Sequence, residues 1–298
     1  PPFRGCTRLR FVCFICCHFT ALLDVDFIRR SENAVSQTLG SKNTAAMSDK
    51  VILHYFNGRG KMESVRWLLT VAEVEFDEYY LTTREQYLKL LNDGSLLFQQ
   101  VPLVEMDGMK LVQTKAILHY IAEKYNLFGK DIKERAMINM YSEGLIDLME
   151  MMMMLPFTAD PKPKLDNIQS KAKERYLPVF EKALTGPVYL VGGKLSLADV
   201  LLVECTLMLE EKFPAILKDY PNLKSFQGRM TQIPAISRFL QPGSKRKPQP
   251  DEGSRRGLRQ DCHGSVQHHR TPLIIISSNI IRLINNNNKK LMTNSDIM

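Results

Sequence analysis

Between positions 51 and 67 the chain passes from strand-like apolar and aromatic residues into a helical stripe. Residues 51–56, VILHYF, read as a short strand. Met62, Val65, Leu68, Leu69 and Ala72 then recur at helical spacing across about 61–73. Residues 75–81 alternate, with Phe76, Glu78 and Tyr80 on one side of the pleat and Glu75, Asp77 and Tyr79 on the other. A strand, a helix and a strand in that order predict a parallel pair joined by a right-handed crossover.

A weaker helix follows at about 84–91, and then two apolar runs, 101–106 and 109–112, flank Asp107-Gly108. An Asp-Gly pair between apolar runs is a strong hairpin signal. Pro102 stands at the start of a strand, where no ladder donor is needed. Ile117, Leu118 and Ile121 mark a helix over 113–125, so the order is βαβαββα, closing near Gly129. From 131 onward strand signals nearly vanish. Helical patterns cover 131–155, 165–184 with a kink expected at Pro178, 197–211, and 221–240 with a break near Pro234. Ser196 and Asp199 form a variant capping box in which a carboxylate replaces the usual Glu or Gln. The second region is therefore all helix, and residues 126–130 are the hinge.

Composition changes this picture mainly at the ends. The net charge of +8 comes from the termini: residues 1–46 carry six Lys/Arg against three Asp/Glu, residues 242–298 ten against four, and 47–241 holds 24 against 25. A nucleic-acid surface needs basicity on the folded part, so no nucleic-acid partner is expected. Residues 1–46 have no sustained period and precede the first methionine, Met47. They read as upstream sequence translated in frame, without an ordered fold. The apolar run at 11–23 mimics a secretory signal but is shorter than the about 20 residues of a typical span, so no stable membrane insertion is expected. Cys13, Cys16 and Cys17 have no second ligand pair at zinc spacing, so no metal is expected. One cysteine, Cys205, in the patterned region suits a cytoplasmic location. Residues 253–298 string together unrelated compositions and read as an aberrant, disordered tail, which a frame change in the coding message would explain.

The stretches LHYFNGRGKMESVRWLL, LLFQQVPLVEMDGMKLVQTKAILHYIAEKYNLFGKD, RYLPVFEK, LVGGKLSLADV and FLQPGSKRKP occur in the same order as in the alpha class of cytosolic glutathione S-transferases. Residues 47–252 resemble that family. The resemblance implies an α/β plus all-α fold: a thioredoxin-like βαβαββα glutathione-binding domain at 47–129 and an all-helical domain at 130–252. It implies an enzyme that uses glutathione as co-substrate and conjugates its thiolate to hydrophobic electrophiles, such as lipid peroxidation products, with a peroxidase activity of the kind the family shares. Only the thiolate is a good nucleophile, and lowering a thiol pKa by about 1.5 units takes roughly 2 kcal/mol of selective anion stabilisation. A phenol donor and a nearby cation can supply it.

Tyr55 matches the family's catalytic tyrosine, although an aromatic at a strand end also reads as core packing. Lys61 stands where the alpha class usually has an arginine beside the sulfur, and a lysine lacks the planar fork. Gln100, Val101, Pro102, Gln113 and Thr114 match glutathione contacts, with Pro102 expected cis and Thr114 at a helix start suited to a carboxylate. Leu91 replaces a basic or polar residue. Asp147 and Arg175 match residues that reach the partner subunit's glutathione; taken alone they are solvated helix charges. Phe98 matches the aromatic that enters a pocket of a partner, with Met140 and Phe180 in that pocket, which implies a homodimer. Phe56, Gly58, Met153, Met154 and Phe157 correspond to the hydrophobic substrate site, although the run Met151–Met154 equally suits core packing. The resemblance stops near Glu252, before the alpha class's closing helix. Other readings are a non-catalytic carrier of hydrophobic ligands, an inactive glutathione binder lacking that lid, or a steroid double-bond isomerase.

Overall fold

The computed structural model describes residues 50–249. The expectations for residues 1–46 and 253–298 lie outside the described residues. The first region is a four-stranded mixed sheet with helices against it. Strand β1 (Val51–Tyr55) is followed by a 3-10 turn (Gly60–Met62), helix α1 (Glu63–Val71), strand β2 (Phe76–Tyr80) and helix α2 (Arg84–Asn92). Strands β3 (Leu103–Met106) and β4 (Met109–Val112) and helix α3 (Thr114–Lys124) complete it. The spatial order is β2-β1-β3-β4, with β1 parallel to β2 and antiparallel to β3. The hairpin turns on Asp107 and Gly108, both at positive φ (52° and 72°), as an Asp-Gly pair favours. Helix α2 starts at a capping box in which Gln86 N–H donates to Thr83 Oγ1 and the Gln86 amide oxygen accepts from Thr83 N–H.

The second region is helical: α4 (Ile132–Met153), a 3-10 turn (Leu155–Phe157), α5 (Lys162–Lys171), a π segment (Ala172–Tyr176), α6 (Leu177–Ala183), α7 (Leu197–Glu210), α8 (Pro221–Thr231) and α9 (Pro234–Phe239). The kink expected at Pro178 takes the form of that π segment. Pro178 has no N–H to close an ordinary turn, and the Leu177 N–H just before it reaches back five residues to the Ala172 carbonyl. The break near Pro234 separates α8 from α9, with Ile233 extended before the proline. At α7, Asp199 accepts from Ser196 N–H (2.9 Å), the Ser196 hydroxyl (2.6 Å) and Leu190 N–H (2.8 Å). The carboxylate thus caps the helix and ties the preceding loop to it.

Apolar residues of both regions form one cluster. Helix α1 packs against α3 on one side and α7 on the other, and its Trp67 meets Phe239 of α9 edge-on at 5.0 Å. The segment between α3 and α4 is tied across as well, since Leu197 N–H donates to Leu127 O at 2.8 Å. No helix among the described residues is long and apolar enough to cross a membrane.

Candidate active site

The sheet register brings Tyr55, Val101, Pro102, Gln113 and Thr114 to one edge of the sheet, the end at which β1 stops and β3 begins. His54 pairs with Leu103, so Tyr55 at the end of β1 lies next to Pro102, one residue before β3. Leu103 also pairs with Val112, which puts Gln113 and Thr114 beside the same edge. The Val101–Pro102 peptide is cis, as expected, and Val101 precedes the ladder. Gln113 Nε2 donates to Gln100 Oε1 at 3.4 Å.

Tyr55 is held from two directions. Its ring lies against Gly60, where an added Cβ would approach Cε1 to 2.9 Å, and its hydroxyl oxygen accepts the Lys61 backbone N–H at 3.1 Å. Gly60 has φ of 45°, a conformation that costs a glycine little. Burial pushes the Tyr55 phenol up, partly offset by the Lys61 N–H and the Arg66 charge, so the hydroxyl is protonated at neutral pH. With its oxygen already accepting, its hydrogen is left to donate.

Thr114 opens α3, where N–H groups lack intrahelical partners, and its Oγ1 is buried without a hydrogen-bond partner. Gln113 precedes it at φ 70° and ψ 109°, an unusual conformation for a residue with a side chain. A strained residue beside an unsatisfied hydroxyl at a helix start is suited to an anionic ligand. Leu91 is half-buried at the end of α2.

The Lys61 ammonium lies 2.6 Å from Glu150 Oε1 of α4, an ion pair with both side chains about half exposed. The four successive methionines divide their roles. Met152 is buried in the core, Met151 and Met153 are half-buried, and Met154 is exposed. Phe56 is exposed with its ring 5.4 Å from that of Tyr55, and Gly58 and Phe157 are partly covered. Asp147 and Arg175 are exposed on α4 and the π segment. Phe98 is 59% exposed and Met140 66%, whereas Phe180 is buried in the chain's own core, 5.6 Å from the Tyr141 ring.

A buried polar layer lies under the turn that follows Tyr55, and hydrophobic periodicity carries no trace of it. Arg66, on the apolar stripe of α1, is fully buried between Glu63 and Glu78 at 2.9 Å each. Lys247 meets Glu78 at 3.0 Å, and Arg59 pairs with Glu211 at 2.7 Å. The pairing of Glu63 with Arg66 at a three-residue helical spacing was legible. The partners from the far end of the chain were not.

Protein-family models of the glutathione S-transferase N-terminal and C-terminal domains match residues 51–123 and 145–234. Glutathione S-transferase A4 of Homo sapiens is 56% identical over 210 residues, covering 69% of this chain and 95% of that protein. Glutathione S-transferase A1 of Bos taurus is 57% identical over the same shares. This chain belongs to the glutathione S-transferase family. Its alpha-class resemblance stands on these relatives, and solved transferase structures share the two-region architecture. The crystal structure of the glutathione S-transferase from Ascaris lumbricoides superposes with a TM-score of 0.56 at 27% identity, covering 64% of this chain and 96% of that one. The structure of NaGST-2 gives 0.58 at 25% identity, covering 66% and 98%.

Proposed function

We propose that this transferase binds glutathione at the sheet edge around Tyr55 and conjugates its thiolate to hydrophobic electrophiles. The observation that carries the reading is the Tyr55 hydroxyl, whose oxygen accepts from Lys61 N–H and whose hydrogen is left to donate to sulfur. Residues 47–129 supply the glutathione-binding domain and 130–252 the helical domain, a division supported by the two matched family domains.

In this reading Val101 pairs with the cysteinyl backbone of glutathione like an added strand, next to Pro102. Gln100, Gln113 and Thr114 hold the γ-glutamyl end, its carboxylate meeting the start of α3 and the Thr114 hydroxyl. Tyr55 donates to the sulfur, and Lys61 adds positive charge nearby. The thiol proton leaves to solvent, and the sulfur lone pair forms a bond to the electrophilic carbon, either expelling a leaving group such as halide or pushing the π pair of an activated double bond onto its acceptor group, which then takes a proton from solvent. Phe56, Gly58, Met153, Met154 and Phe157 hold the apolar part of that substrate. The same thiolate supports peroxide reduction with a second glutathione.

The chain acts as a homodimer in this reading. Phe98 enters the partner, and Asp147 and Arg175 reach its glutathione. The exposure of the adjacent Leu97 and Phe98, and of Met140, supports that interface, since a docked partner would cover large apolar side chains otherwise left in solvent. A cytoplasmic location fits the buried free thiol of Cys205. Turnover of a generic aryl halide, compared between wild type and Tyr55→Phe, tests the assignment. The variant is expected to lose at least about tenfold in kcat, the equivalent of one donor hydrogen bond to a charged group. A wild-type chain that binds immobilised glutathione without turnover would support the carrier instead.

A further inference from the structure

The polar layer beneath Tyr55 joins the turn after β1 to a segment nearly 190 residues away. The Arg59 side chain reaches that segment and the end of α7: Nε donates to Lys247 O at 2.7 Å, while Nη1 and Nη2 fork onto the two oxygens of Glu211 at 2.7 and 3.0 Å. A bidentate fork fixes the guanidinium in orientation as well as in distance. Arg246 Nη2 holds the same Glu211 from the other side at 2.9 Å. Burial opposes ionisation of Glu211, yet the Arg59 fork and the Arg246 charge hold its carboxyl below the usual range.

The turn and the 244–247 segment also share two carboxylates. Glu63 takes Arg66 Nη1 at 2.9 Å and the Lys247 backbone N–H at 3.2 Å. Glu78 takes Arg66 Nη2 at 2.9 Å and Lys247 Nζ at 3.0 Å, and that ammonium also meets the Tyr80 hydroxyl at 2.6 Å. Arg66 Nη1 in turn donates to Gly58 O at 2.9 Å and lies 3.4 Å from Arg59 O. The carbonyls of the turn and the side chain of Arg59 are therefore gripped from behind. The next two residues are Gly60, packed on the Tyr55 ring, and Lys61, whose N–H meets the Tyr55 hydroxyl. Buried charges are expensive to desolvate, and a network of this kind contributes to a unique geometry more readily than to stability.

We propose that residues 244–247 form a strap that sets the position of the Tyr55 hydroxyl through Arg59, which makes Arg59 a positioning residue for thiolate formation. This rests on the reading of Tyr55 as the donor to the glutathione sulfur. The Arg59 guanidinium bonds Lys247 O and Glu211, and so anchors the backbone that carries the Gly60 contact and the Lys61 N–H. Loosening it lets the hydroxyl drift and weakens stabilisation of the thiolate without removing a glutathione contact.

The test uses the full chain and reads thiolate absorbance of bound glutathione against pH. Arg59→Gln is expected to raise the thiol pKa by about half to one unit, a roughly three- to tenfold loss of thiolate at a pH below it. The glutathione dissociation constant should stay within about twofold, and Arg59→Lys, which keeps charge but not the fork, should recover part of the shift. In the Tyr55→Phe background the Arg59→Gln shift should vanish, because both act through one hydroxyl. A shift that persists there, or an Arg59→Gln protein that melts earlier with the wild-type thiol pKa, overturns the strap. If Arg59→Gln does not fold, Glu211→Gln loosens the same fork and is read in the same way. A Tyr55→Phe protein with the wild-type thiol pKa sinks the reading of Tyr55 itself, and the strap with it.

Discussion

Lys61 Nζ and Glu150 Oε1 stand 2.6 Å apart, so the cation beside Tyr55 is shared with a carboxylate of α4. Both groups are about half exposed, and such pairs contribute less than about 1 kcal/mol to stability. Their consequence lies in charge placement. Glu150→Gln should leave melting unchanged and lower the thiol pKa of bound glutathione by a few tenths of a unit, because the ammonium is no longer neutralised. Lys61→Ala should raise it. Titration of the thiolate band in both variants checks the pair; a Lys61→Ala curve superimposed on wild type would remove Lys61 from the chemistry.

Gly60 is where Tyr55 and the backbone approach most closely. In Gly60→Ala the new Cβ would fall against the Tyr55 hydroxyl at a left-handed φ, so both strain and contact oppose it. The expected cost is about 1–3 kcal/mol with a loss of turnover. Urea unfolding and aryl halide kinetics measure the two effects, and wild-type values in both would contradict the packing.

Thr114 offers a hydroxyl that no protein group satisfies. Thr114→Val keeps the shape and removes the hydroxyl. The glutathione KM should rise roughly five- to tenfold, the worth of about one hydrogen bond to a charged group, while stability holds or improves. An unchanged KM would return Thr114 to the role of an ordinary helix-start residue.

Glu204 is buried on α7, and burial, with the nearby Glu63 charge, pushes its carboxyl up to about 8 against the Ser64 hydrogen bond and the charges of Arg59 and Arg246. The folded chain therefore keeps a proton that the unfolded chain releases near pH 4.5. This stabilisation is complete below that pH and is lost as pH rises through about 8. Glu204→Gln, always neutral, should match wild type in acid and become the more stable protein above it. The gap should widen toward pH 8 at a slope of up to roughly 1.4 kcal/mol per unit. Denaturation at pH 5 and pH 8 gives the comparison; a constant gap would mean that Glu204 does not hold the proton.

Phe98 and Met140 together expose large apolar side chains on one chain. Phe98→Ser should shift light scattering toward monomer, with the chain still folded by circular dichroism. An undisturbed dimer would place the contact elsewhere.

The elements were legible because their signals are local. The period of 3.6 over Met62, Val65, Leu68 and Leu69, the Asp107-Gly108 turn and the Ser196–Asp199 cap each need only neighbouring residues, and each forms as read. The ordered motifs likewise identified the family and the edge where Tyr55, Pro102, Gln113 and Thr114 meet. Tertiary structure alone decided what those residues are held by. Arg66 sits on a stripe read as apolar and is buried as an ion, Met152 turns inward while Met154 turns out, and Phe180 lies in its own core. Spacing along the chain carries no information about Lys61 and Glu150, 89 residues apart, or about Arg59 and Lys247, 188 apart. Charge pairing is set by which surfaces the packed core brings together, and only the folded chain brings the 244–247 segment beneath Tyr55.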